Sequence, residues 1–208
     1  MLFPVLLVLG VIGLLTTLGG IYLRIGKSRS VERLRERAAA ECKWRLECVA
    51  PSLDGKVDGP TMRTAQGTIE LIPSGAPSSW VIDMTTFDTE VAFTHVLNVV
   101  AHRDTDRAGR SKLVRPVDLE DPKVASGYRV FSSDADFARA VVTAELIQAT
   151  RALDAAVRAR TFLRTGGGRA TVVALRGLSD AAELKAFHDG SAALVGLLKM
   201  SEGPTPAP

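Results

Sequence analysis

Residues 2–23, LFPVLLVLGVIGLLTTLGGIYL, are apolar or small throughout and carry no charge, whereas every later apolar pattern is short and broken by polar positions. A helix of that length rises roughly 30 Å, the thickness of a bilayer's hydrocarbon core, so the run predicts a transmembrane anchor over residues 1–24. Behind Ser30 as N-cap, Val31, Leu34, Ala38 and Cys42 recur at helical spacing and predict a basic juxtamembrane stalk helix over 25–42. The period then changes. Trp44, Leu46, Cys48 and Ala50 alternate with Lys43, Arg45, Glu47 and Val49, which predicts a half-buried strand with Trp44 and Cys48 pointing into a core.

Between Pro51 and His102 the turn residues Asp54-Gly55, Asp58-Gly59-Pro60, Gln66-Gly67 and 73–77 separate short alternating runs. Ile69 and Leu71 flank Glu70; Trp80, Ile82 and Met84 alternate with Val81, Asp83 and Thr85; and 91–101 is apolar enough to be the most buried strand. These predict an antiparallel meander of four or five strands. Residues 103–126 lack periodicity and read as a long exposed loop with one short extended piece near 113–117, a natural place for a partner site.

A strand at 128–131 leads into a helix of about 25 residues, capped from Ser132, Ser133 or Asp134 and striped by Phe137, Val141, Leu146, Ala149, Leu153 and Val157. Runs at 161–165 and 169–175 form a hairpin around Gly166, Gly167 and Gly168. Asp180 with Glu183 starts a last helix whose Leu184, Phe187, Ser191, Leu194 and Leu198 hold one face. Residues 201–208, rich in proline, make a disordered tail. The predicted fold class is therefore α+β over 43–200: an antiparallel sheet covered by two helices, preceded by the anchor and the stalk.

Charge gives the anchor a direction. Only the α-amino group precedes the run, while Arg24, Lys27, Arg29, Arg33, Arg35 and Arg37 follow it, so the positive-inside rule puts the amino terminus outside and the domain in the cytoplasm. A cleaved signal peptide would want a basic start and a shorter apolar run, with Leu18-Gly19-Gly20 the one tempting cleavage point. Gly10, Gly13, Thr17 and Gly20 align as a stripe of small residues suited to close packing with a partner helix or a second copy. Arg24, Lys27, Arg29 and Arg33 are the candidates for contact with lipid head groups.

The net charge of +3 is small, and its cations are interleaved with acids, so the chain has no nucleic-acid footprint. The 2 cysteines, Cys42 and Cys48, make no disulfide framework and lack the C-x-x-C spacing of redox or zinc sites. They read as two buried thiols in a reducing compartment, and as a bridge only if the domain were exported. Abundant alanine, arginine and glycine suit a GC-rich bacterial source.

Asp104-Thr105-Asp106-Arg107-Ala108-Gly109 begins like a calcium loop but has Ala108 at the fifth position and Arg115 at the twelfth. His95 and His102 fall on opposite faces of one predicted strand, and His188 borders the last helix's apolar stripe, so no metal set forms. No serine stands in a nucleophile elbow, Gly166-Gly167-Gly168-Arg169 precedes a strand rather than a helix, and Asp83, Asp88 and Glu90 bracket a predicted turn with nothing to tune an acid. No catalytic, cofactor or metal residue is assigned. The expected function is a single-pass membrane-anchored, non-catalytic accessory or adaptor protein whose partners are the lipid bilayer and a membrane protein or its own copy. The alternatives are an exported envelope binding module and an enzyme of unrecognised type.

Overall fold

The computed structural model describes residues 31–73, 82–101, 113–119, 127–178 and 180–201. The predicted anchor lies outside the described residues, and with it Gly10, Gly13, Thr17, Gly20, Arg24, Lys27 and Arg29. No helix among the described residues is long and apolar enough to cross a membrane.

The first element is a helix, α1, over residues 31–53, and it runs straight through the segment expected to be a strand. Two periods coexist there. Trp44 and Cys48 satisfy alternation, but Ala38, Cys42, Leu46 and Val49 continue the helical spacing, and these four are the residues buried. Glu41 with Arg45 (2.8 Å) and Lys43 with Glu47 (3.7 Å) add pairs one turn apart. Trp44 is consequently 59% exposed and Cys48 lies outside, both reversed from expectation. The helix ends where Asp54 takes a left-handed φ of 50° and Gly55 N–H donates to Ala50 O at 3.0 Å, the six-residue closure that caps many helices.

Nine strands follow: β1 (Lys56–Asp58), β2 (Thr61–Arg63), β3 (Thr68–Pro73), β4 (Ile82–Glu90), β5 (Leu97–Ala101), β6 (Arg115–Val117), β7 (Tyr128–Ser132), β8 (Thr161–Gly166) and β9 (Arg169–Ala174). They form one antiparallel sheet in the order β1-β2-β3-β4-β9-β8-β5-β7-β6. The predicted meander holds from β1 to β4. Beyond it, the β8–β9 hairpin is inserted between β4 and β5, a long-range pairing that no local signal announces. Its turn is the expected one, with Gly167 and Gly168 at φ of 61° and 76°.

Other boundaries moved for local reasons. Asp88 and Glu90 belong to β4 rather than a turn, and the strand expected over 91–101 shrinks to β5 because Val91 N–H is taken by Gly168 O at 2.9 Å. β6 is the short extended piece expected inside the loop. The single long helix is two: α2 (Ala135–Val141), capped by the Asp134 carboxylate, and α3 (Ala144–Val157), capped by the Thr143 hydroxyl at 3.2 Å from Leu146 N. The last helix, α4 (Ala181–Ser201), starts as expected, with Asp180 Oδ1 accepting from Ala182 N at 2.7 Å.

One row of the sheet, Ile69, Phe87, Val172, Leu163, Val99 and Val130, is in register from β3 to β7 and belongs to a single core with residues of α1, α2, α3 and α4. The stalk helix is thus part of the domain's core. Cys42 at 0% exposure, with its thiol 3.7 Å from Leu71 O, marks where α1 sits on β3. Burial pushes that thiol's pKa up. α3 and α4 approach closely because Gly190 leaves no room for more: a Cβ there would lie 2.7 Å from Leu153 Cδ1.

Candidate functional site

Two buried polar clusters stand out, and each joins a helix to the sheet. The first is built on the β2–β3 turn, where Thr64 N–H and hydroxyl both reach Gly67 O (2.8 and 3.0 Å) and the hydroxyl oxygen accepts from Gln66 N and Gly67 N at 3.2 Å. Gly67 must be glycine, since a Cβ would lie 2.6 Å from both Asp88 O and the Phe87 ring. Against this turn α4 sets His188, which is 2% exposed, with Nε2 2.9 Å from Thr64 Oγ1 and Nδ1 2.9 Å from Asp189 Oδ1. Phe87 meets the imidazole edge-on at 5.6 Å.

Hydroxyl, imidazole and carboxylate in line resemble a nucleophilic triad, but the hydrogen bonding decides otherwise. A carboxylate can only accept, so Nδ1 donates to Asp189, while Gly67 O and His188 Nε2 both lie within reach of the one Thr64 hydroxyl proton. The lone pairs of that hydroxyl are already occupied by two backbone N–H groups, leaving none to attack a substrate. The cluster is a clasp between α4 and the turn. Burial pushes the Asp189 carboxyl up, yet hydrogen bonds and charge from Lys185 and His188 outweigh it and hold it below the usual carboxylate range. Beside the clasp a cleft of about 550 Å³ opens between the turn and the outer side of α4, lined by Gln66, Thr89, Asp189, Ala192, Gly196 and Lys199 among others.

The second cluster centres on Asp154 near the end of α3. Its Oδ1 accepts from Thr161 N and Thr161 Oγ1, each at 2.6 Å, and its Oδ2 accepts from the Tyr128 hydroxyl at 2.9 Å. The Arg151 guanidinium lies 5.8 Å from the Tyr128 ring centre. Burial, then the neighbouring Asp154 charge and its hydrogen bond, push the Tyr128 phenol well up, with Arg151 opposing. A phenol held neutral and a carboxylate with three donors bind α3 to β7 and β8, and the phenol cannot give up its proton near neutral pH.

Of the residues singled out in the sequence, Arg33 lies exposed on α1, and Asp88 accepts from Thr171 Oγ1 at 2.5 Å while Glu90 pairs in register with Arg169. His95, outside any strand, stacks on Phe137 at 4.7 Å, and His102 lies outside the described residues, as do 104–112. Among the described residues no group of three or more metal-binding side chains is placed to hold an ion. Cys42 and Cys48 cannot bridge: six helical positions separate them by about 9 Å along the axis and turn them to different sides. The Thr64–His188 contact spans 124 residues and is invisible to any local motif.

No family model matches the chain, and no curated protein matches it in sequence. Among solved structures, the chain is similar in fold to the mycobacterial trehalose monomycolate transport factor A, TtfA, with a TM-score of 0.50 at 10% identity, over 80% of this chain and 98% of that one. The likeness is one of fold alone.

Proposed function

We propose that this chain is a single-pass, membrane-anchored accessory factor, without catalysis of its own, that holds its α+β domain at the cytoplasmic membrane surface and assists a membrane-embedded partner in moving trehalose monomycolate or a comparable acylated sugar. The observation that carries the reading is the fold likeness to a protein named for that transport. The apolar run of residues 2–23 supplies the tether, Arg24, Lys27, Arg29 and Arg33 its orientation, and the first three of these a contact with lipid head groups. Tethering confines the domain to two dimensions and raises its effective concentration for a partner in the same membrane, so modest affinity suffices. The engaged Thr64 hydroxyl and the saturated Asp154 agree with a binding role.

Within the membrane, the stripe Gly10, Gly13, Thr17 and Gly20 is the contact for a partner helix, and residues 103–126 are a second contact on the domain. The test is affinity purification of the full chain from detergent-solubilised membranes. Replacing Gly13 and Gly20 with leucine, or replacing 103–112 with a glycine–serine linker of equal length that spares β6, is expected to reduce recovery of membrane partners severalfold. Unchanged recovery in both variants contradicts the reading, and phosphatase activity from a periplasmic reporter fused after Pro208 would favour the exported alternative.

A further inference from the structure

Most large apolar side chains of the domain are buried, and Trp44 is the one left exposed in the middle of a described helix, at 59%. Successive residues of a helix turn by about 100°, so Arg33, Arg37, Ala40, Trp44, Cys48 and Pro51 fall on one narrow line down α1. All six are exposed, and the opposite side of the helix, from Ala38 to Val49, is locked into the core. Among the described residues Arg33 and Arg37 make no ion pair and Trp44 no ring contact. Tryptophan and arginine are the residues that most often carry the binding energy of protein interfaces.

Resting on the tethered reading above, we propose that this line of α1 is the docking surface for an acidic, apolar segment of the membrane partner, with carboxylates meeting Arg33 and Arg37 and an apolar side chain covering Trp44. The charges choose the occupant. Two copies tethered in one membrane would bring their α1 helices together in parallel, setting Arg33 against Arg33 and Arg37 against Arg37, so a second copy is repelled. Reach agrees with a membrane-borne partner: Arg33 is ten positions beyond Leu23, at most roughly 35 Å of chain.

The surface carries its own probe. Cys42 is buried and Cys48 exposed, so a benzophenone maleimide attaches to Cys48 of the full chain and can be irradiated in native membranes. The expected result is a discrete adduct whose mapped partner peptide contains Asp or Glu beside apolar residues. That adduct should fall roughly tenfold or more in Trp44→Ala and in Arg33→Glu/Arg37→Glu, while both variants remain in the carbonate-washed membrane pellet. An adduct of twice the chain's mass, adducts with lipid alone, no adduct, or an adduct indifferent to charge reversal overturns the proposal. A chain that washes off in carbonate instead condemns the tether, which keeps the two failures apart.

Discussion

α1 and α4 both lay an apolar stripe on the same face of the sheet, yet their outer sides are opposites. α4 sets the small residues Ala192, Ala193 and Gly196 along a cleft that Asp189 of the clasp also lines. α1 turns outward a tryptophan between two arginines above and an exposed thiol below. The inner sides are set by the need to bury apolar area, which treats both helices alike. The outer sides are free of that constraint, and there the two helices diverge: α4 is held by partners within the chain, and α1 offers Arg33, Arg37 and Trp44, for which the described residues supply no ion pair or ring contact.

The largest effects should fall on the shared inner sides. Leu46→Ala and Leu194→Ala each remove a fully buried side chain and are expected to cost about 2–5 kcal/mol, read as a fall in Tm. An α1 merely appended to the domain would leave Tm unchanged in the first variant. Next, Gly190→Leu forces a side chain into Leu153 at the α3–α4 crossing and should cost about 1–3 kcal/mol, whereas Gly196→Ala meets open space and should stabilise by up to about 1 kcal/mol. Opposite signs from two glycines six residues apart in one helix would show which side of α4 is packed.

A pH measurement separates the clusters. The Tyr128 phenol keeps its proton longer in the folded chain than at the ordinary value of 10.0. Its contribution is therefore full below that pH and is lost as pH rises above it, because the unfolded chain then binds fewer protons. Tyr128→Phe should flatten the alkaline fall in stability relative to the parent, as read by denaturant melts between pH 9 and 11; equal slopes would contradict the assignment. The smallest expected change is Trp44→Ala, within about 0.5 kcal/mol of the parent, since an exposed side chain contributes to binding rather than to folding.

What could be read from sequence follows from the range of the signals. α4, the β8–β9 hairpin and its glycines were legible because their caps and periods are local. α1 was legible from Val31 to Cys42, but its continuation to residue 53 was not, because Trp44 and Cys48 happen to fit period two over eight residues while Leu46 and Val49 complete a helical stripe begun at Ala38. The break between α2 and α3 was masked by an apolar stripe that crosses it without a change of period, although Thr143 stood ready as a cap. The insertion of β8–β9 between β4 and β5, and the pairing of Thr64 with His188, depend on contacts between segments distant in the chain. The expectation that Cys42 and Cys48 share an environment failed for the same reason as the strand: on a helix, six residues put them on different sides.

The most direct test of the account is the side of the membrane on which Cys48 lies. A membrane-impermeant maleimide applied to intact spheroplasts is predicted to leave the full chain unlabelled, and the same reagent added after detergent lysis is predicted to label Cys48 but not the buried Cys42. Labelling of Cys48 in intact spheroplasts would contradict a domain held on the inner surface, and with it the role proposed for α1.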